Sequence, residues 1–210
     1  MIINFSSKNF KQRCHQLAKE EPVFKVVLDQ YGYPPLWSRP PAFATLIHII
    51  LEQQVSLASA KAALDKLKNK IGIITPARLL TLSDSEMRSC YFSRQKMGYA
   101  RGLAKAILSK KLVLKKLSAL PDEAIRVELK KVKGIGDWTV DVYLLFALQR
   151  ADVFPLGDLA MINALKEIKA LPTEISRIEI LKMSQPWKPY RSIATMLLWH
   201  YYIKTRNIKL

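Results

Sequence analysis

The chain has 210 residues, half of them hydrophobic, which is enough for one large domain or for two lobes sharing an interface. Its 34 Lys and Arg stand against 17 Asp and Glu, and a net charge of +17 favours a polyanionic partner, because neutralising phosphates releases condensed counterions. No apolar run is long enough for a bilayer, the N-terminus lacks a secretory h-region, and the two cysteines and three histidines are too scattered for zinc or iron–sulfur ligation, so an intracellular, soluble protein is expected.

The hydrophobic pattern is helical nearly throughout, and no strand alternation is sustained enough to build a sheet. Proline-rich residues 31–41 read as a crossing between lobes. Phe43, Leu46, Ile47, Ile50 and Leu51 then recur at helical spacing. The polar break Gln53-Gln54-Val55-Ser56 ends that run, and Ser56 is placed to cap a helix carrying Leu57, Ala60, Ala63, Leu64 and Leu67. Ser83 and Glu86 have the spacing of a capping box. A helix over 96–108 follows, then a basic segment over 110–116. The pattern next predicts a helix from Pro121-Asp122 to about Val132, a hairpin over 133–137 and a helix over 138–149. An irregular connection containing Pro155 leads to Asp158, at the start of a helix over 159–170. Thr173 is the expected cap of the next helix. The last helix begins near Pro189-Tyr190 and carries Met196, Leu197, Leu198 and Trp199. The expected architecture is all-α: one lobe over about 41–150, including a helix-hairpin-helix over 129–148, and another from 1–40 plus 151–210.

Gly134, Ile135 and Gly136 lie between two amphipathic helices. Glycine permits positive φ and close approach of another backbone. A helix starting just after them presents unpaired N–H groups beside a positive dipole end, which suits a phosphate. Ile135 would pin the turn to the core, and Lys130, Lys131 and Lys133 add charge. An ordinary helix corner with a glycine cap would carry the same glycines; the lysines and the overall charge tip the balance toward DNA. For Asp158, the residues alone favour a helix N-cap, the commonest use of aspartate at such a place.

The segment VKGIGDWTVDVYLLFAL resembles the helix-hairpin-helix of the HhH-GPD DNA glycosylase superfamily, and DVFPLGDLA resembles the loop and aspartate that follow it. FATLIHIILEQQVSLASAKAAL, FSRQKMGYARGLA and QPWKPYRSIATMLLWHYY continue the likeness in family order over about 40–203. The nearest branch is that of 3-methyladenine DNA glycosylase II, which removes alkylated bases. The resemblance implies two helical lobes with DNA in the cleft between them, and Asp158 as the catalytic carboxylate. Asp137, Asp141 and Asp152 are its rivals. Strand-nicking members carry a Schiff-base lysine where this chain has Trp138, so the resemblance implies a monofunctional hydrolase. Trp138, Trp187 and Trp199 match aromatic positions of the alkyl-base branch, and Tyr143 is a neighbouring candidate for the base pocket, although core packing would also account for aromatics at this spacing. A pocket tyrosine of the relatives falls on Val142.

Gln54 matches the residue that fills the gap left by an everted base, with Gln53 a rival by one position. Glu52 replaces a small residue of the relatives, and the sequence offers no account of it. Ser56, Lys133, Gly134, Ile135, Gly136, Asp137, Thr139 and Arg94 complete the expected DNA-binding set; for Arg94, solvated surface is the equal alternative. The resemblance also suggests a Na+ or K+ ion held by the main-chain carbonyls of Val132 and Ile135, and no organic cofactor. The expected protein is a monomer acting on alkylated double-stranded DNA away from membranes, in the cytoplasm with the nucleoid or, in a eukaryote, in the nucleus. The alternatives are a glycosylase for oxidised or deaminated purines and a non-catalytic hairpin DNA-binding protein, the latter having no need of Asp158.

Overall fold

The computed structural model describes residues 2–208. Among these, the helices are α1 (Phe10–Glu20), α2 (Pro22–Tyr31), α3 (Phe43–Glu52), α4 (Leu57–Ile71), α5 (Pro76–Leu80), α6 (Asp84–Ser89), α7 (Arg94–Leu108), α8 (Leu114–Leu117), α9 (Asp122–Lys130), α10 (Asp137–Phe146), α11 (Leu159–Ile168), α12 (Arg177–Met183) and α13 (Arg191–Thr205). A 3-10 turn at Gln185–Trp187 precedes α13, and the β-pairing among the described residues is a single antiparallel bridge between Asn4 and Arg150. The fold is all-α, as the helical periodicity predicts. No helix among the described residues is long and apolar enough to cross a membrane.

The chain divides into two compact units, residues 39–143 and residues 2–38 with 144–208. The second crossing therefore falls inside α10 rather than near 150. The reason is local: Leu145 and Ala151 belong to the core of the second unit, and the N-terminal segment hydrogen-bonds beside them. Phe5 N–H donates to Gln149 O at 3.0 Å, and Ala151 N–H donates to Ile3 O at 2.9 Å. Gln149 itself takes φ +50°, which ends the helical register earlier than apolar spacing alone suggests.

In the unit of residues 39–143, α3 is the central element. Phe43, Leu46, Ile47, Ile49, Ile50 and Leu51 are all buried, so this helix is apolar around most of its circumference, as a helix enclosed by neighbours must be. It packs on α4 and α7. Ser56 caps α4 by accepting the Ser59 N–H at 3.2 Å, and Ser83 with Glu86 forms the reciprocal box at α6.

In the other unit α13 is central. Its nine residues from Ser192 to His200 are buried, and it packs against α1, α2 and α11. Thr173 does not cap α12. Ser176 does, through a full capping box with Glu179 that satisfies two orphan donors at once, which a lone threonine cannot match.

Candidate active site

The hairpin is built by short-range bonds. After α9, Val132 N–H donates to Leu129 O and Ile135 N–H donates to Val132 O, each at 3.1 Å. Gly134 has φ +92°, and its α-carbon faces the Tyr99 ring of α7 so closely that an added Cβ would lie 2.1 Å from Cγ. Ile135 is buried and anchors the turn, whereas Gly136 is exposed with open space where a Cβ would stand. α10 begins directly after the exposed Gly136, which puts the positive end of a helix dipole beside the turn.

Lys133 is exposed beside the turn and helps line a groove of about 260 Å³ with Lys111, Lys131, Glu128 and Leu112. The basic segment over 110–116 thus contributes Lys111 to the flank of the hairpin. Lys131 is 2.6 Å from Glu128, and Lys130 is 2.7 Å from the exposed Asp137. Arg94 is exposed in the first turn of α7.

One expectation for this region needs correction. The Thr139 side chain does not face outward: it is buried, and its Oγ1 accepts a hydrogen bond from Gln53 Nε2 at 2.9 Å. Ser56 is exposed and caps α4, as its place in the sequence suggests. Gln53 and Gln54 differ in their surroundings. Gln53 Nε2 donates to Gly134 O at 2.9 Å as well as to Thr139, so both its amide hydrogens tie the α3–α4 turn to the hairpin. Gln54 is exposed, with φ +56°.

Asp158 stands in the unit of residues 2–38 and 144–208. Its Oδ1 accepts the Met161 N–H at 2.8 Å, making it the N-cap of α11. The same oxygen accepts the Trp199 Nε1–H at 3.0 Å. The carboxylate is buried, so both bonds act where they are little weakened by water. Trp199 lies at 5.3 Å from the Phe146 ring and 6.3 Å, edge-on, from Trp37. Sequence reasoning passed over Trp37 and Phe146; the one signal for Trp37 was a large aromatic inside a proline-rich crossing.

The rival carboxylates are engaged in structural pairs. Asp152 forms a two-point bond with Arg191 at 2.7 and 2.9 Å. Asp141 is buried against Arg126; burial pushes its carboxyl up to about 6, with Arg126 pulling the other way. Asp137 is exposed beside Lys130.

Trp138 is half-buried in the first turn of α10. Trp187 and Tyr143, by contrast, are interior residues. The Trp187 ring packs edge-on against Phe24 and Phe154, and its Nε1 donates toward Glu21 at 3.4 Å. Tyr143 is fully buried, and burial pushes its hydroxyl up to about 12. Both assignments to a base pocket give way to core packing. Trp187→Ala is accordingly expected to lower stability by about 3–5 kcal/mol, the usual cost of a large cavity. Denaturant titration measures this; a variant as stable as the wild type would show that Trp187 is not part of the core.

Residues 47–189 match the HhH-GPD superfamily base excision DNA repair protein, and the chain belongs to that superfamily. It is 31% identical over 161 residues to DNA-3-methyladenine glycosylase 1 of Schizosaccharomyces pombe, covering 75% of this chain and 71% of that protein. It is 29% identical over 181 residues to the putative DNA-3-methyladenine glycosylase YfjP of Bacillus subtilis, covering 82% of this chain but 63% of the Bacillus protein's length. The solved structure of the Schizosaccharomyces pombe 3-methyladenine DNA glycosylase in complex with abasic DNA superposes with a TM-score of 0.84 at 27% identity, over 93% of this chain and 97% of that one.

Proposed function

We propose that this protein is a base-excision DNA glycosylase that hydrolyses the N-glycosidic bond of alkylated purines, chiefly 3-methyladenine and also 7-methylguanine, in double-stranded DNA. The observation that carries the reading is Asp158, a buried carboxylate held by a helix N-terminus and the Trp199 indole within an aromatic cluster. The relatives named for 3-methyladenine support the substrate class.

The chemistry follows from the charges. Alkylation places a positive charge on the purine, which electron-rich rings attract by stacking and cation–π interaction. When the C1′–N bond breaks, its electron pair leaves with the base, which becomes neutral. Positive character passes to the sugar, where a nearby carboxylate stabilises it. Water adds to C1′ through its oxygen, and its proton is released to the carboxylate or to solvent. A charged base needs little acid assistance, so one carboxylate serves.

Trp138 stands where strand-nicking enzymes place a lysine, which supports hydrolysis without a lyase step. The carbonyls of Val132 and Ile135 offer oxygen donors suited to Na+ or K+. Such an ion would supply charge to a DNA phosphate at the hairpin, and no organic cofactor is proposed. The acting form is proposed to be a monomer.

The test is incubation of the protein with methylated duplex DNA and identification of released bases by chromatography. Free 3-methyladenine with intact strands and no borohydride-trapped covalent adduct is the expected result. Release of no base defeats the enzymatic reading and leaves a hairpin DNA-binding protein; a trapped adduct defeats the monofunctional one.

A further inference from the structure

Glu52, the residue that sequence reasoning leaves unexplained, ends α3 immediately before the exposed Gln54 turn. Arg39 grips it with a two-point bond, Nη1 to Oε2 at 2.9 Å and Nη2 to Oε1 at 2.6 Å. His48 Nε2 lies 3.4 Å from the same Oε1. Both ends of the pair are largely shielded, so the bond is made in a medium where it is strong and where one partner without the other is costly.

The neighbouring residues are fastened as firmly. Lys96 of α7 donates its Nζ–H to Leu51 O at 2.7 Å. Gln53 spends both amide hydrogens on the hairpin. Every residue from Leu51 to Gln53 is therefore held by a different partner, and the first free side chain is Gln54. That residue has φ +56°, a conformation that costs free energy in any residue but glycine and persists only where the surroundings over-determine it. Three anchored residues just before it and a strained, exposed tip describe a side chain held out in advance rather than a loose loop.

We propose that the Arg39–Glu52 pair is a positioning device: it fixes the α3–α4 turn so that Gln54 is already poised to enter the gap left by an everted nucleotide. The inference rests on the base-flipping reading above. It also accounts for an acid beside this turn, since the shielded Glu52 charge is offset by Arg39. The pair contributes no atom to the chemistry. It removes the need to order the turn during flipping, where small misplacements of an aligned group cost roughly 10²-fold.

The experiment compares binding of the full chain to a duplex with one abasic site and to the same duplex intact. Wild type should prefer the abasic duplex, and Gln54→Ala should erase that preference. Glu52→Gln should reduce the preference roughly tenfold or more without weakening binding to intact duplex. Arg39→Lys keeps the charge but loses the planar fork, and should reproduce the effect if Glu52→Gln is poorly folded. The double change Arg39→Gln with Glu52→Gln removes both buried charges and should recover part of the preference, a non-additivity expected of a direct pair. An acid that merely repels phosphate predicts the opposite: Glu52→Gln would tighten binding to both duplexes equally, and the proposal would be overturned. Parallel loss of stability and of both affinities would overturn it too. A wild type that prefers the abasic site yet releases no base sinks the excision reading alone, whereas a wild type without the preference sinks the positioning role whatever its activity.

Discussion

Asp158→Asn should cut base release from methylated DNA by about 10²–10³-fold, the scale on which one electrostatic group at a developing charge is felt. The substitution is unusually clean because the amide oxygen can take over both bonds in which Oδ1 accepts. Asn ranks with Asp as a helix N-cap, so the Met161 N–H stays satisfied. The Trp199 indole N–H likewise keeps an acceptor. What disappears is the negative charge. Unfolding in urea should therefore show a midpoint and slope near those of the wild type, while single-turnover release at saturating DNA collapses. Asp158→Ala is the contrasting variant. It loses the cap, worth about 1 kcal/mol, and strands a buried indole donor, worth about 1–3 kcal/mol more. If Asp158→Asn retains full activity, the carboxylate is a cap and nothing further. If Asn and Ala lose activity and stability in proportion, the effect is structural. Only a charge-specific loss of rate at constant stability supports the catalytic role.

The features legible in the sequence are those decided within a few residues. Ser56, Ser83 with Glu86 and Asp158 act across a spacing of three, where side chain and backbone partner are fixed by the same turn. Thr173 failed because a better local device, Ser176 with Glu179, lies just downstream. What was not legible depends on distant neighbours. Trp187 and Trp199 both match aromatic positions of the alkyl-base branch, and the sequence does not separate their roles. One meets Phe24 and Phe154 and becomes core, while the other meets a carboxylate. Gln53 and Gln54 are adjacent and identical in type; a hydrogen bond to Gly134, 81 residues away, separates them. Glu52 is opaque until Arg39 is seen beside it, and Trp37 until Trp199 is. Polar and aromatic candidates can be picked out by residue type, but their surroundings are set by tertiary contacts.

The two hairpin glycines should behave differently, although the sequence treats them alike. Gly134→Ala places a Cβ 2.1–2.4 Å from Cγ, Cδ1 and Cδ2 of Tyr99. These are atoms of a rigid ring, so the ring or the turn must shift. Overpacking of this kind costs about 1–3 kcal/mol, and a non-glycine residue at positive φ adds about 1–2 kcal/mol. A loss of about 2–5 kcal/mol is expected, read as a lower urea midpoint at unchanged slope. Adding Tyr99→Ala should return the overpacking part and leave the backbone part, so the two changes are strongly non-additive. Gly136→Ala meets nothing within 4 Å and has no positive φ. Its cost should stay near the difference of about 1 kcal/mol or less between Gly and Ala at a helix cap. Its consequence lies in binding instead, because the new methyl projects where a phosphate would approach the first N–H groups of α10. Affinity for any duplex, damaged or not, should fall while the fold persists. A Gly136→Ala protein that binds duplex DNA as tightly as wild type would show that this glycine serves no backbone approach. The hairpin would then be an ordinary helix corner, packed by Gly134 against Tyr99, and the phosphate grip would have to be sought among Lys111, Lys131 and Lys133 on its flank.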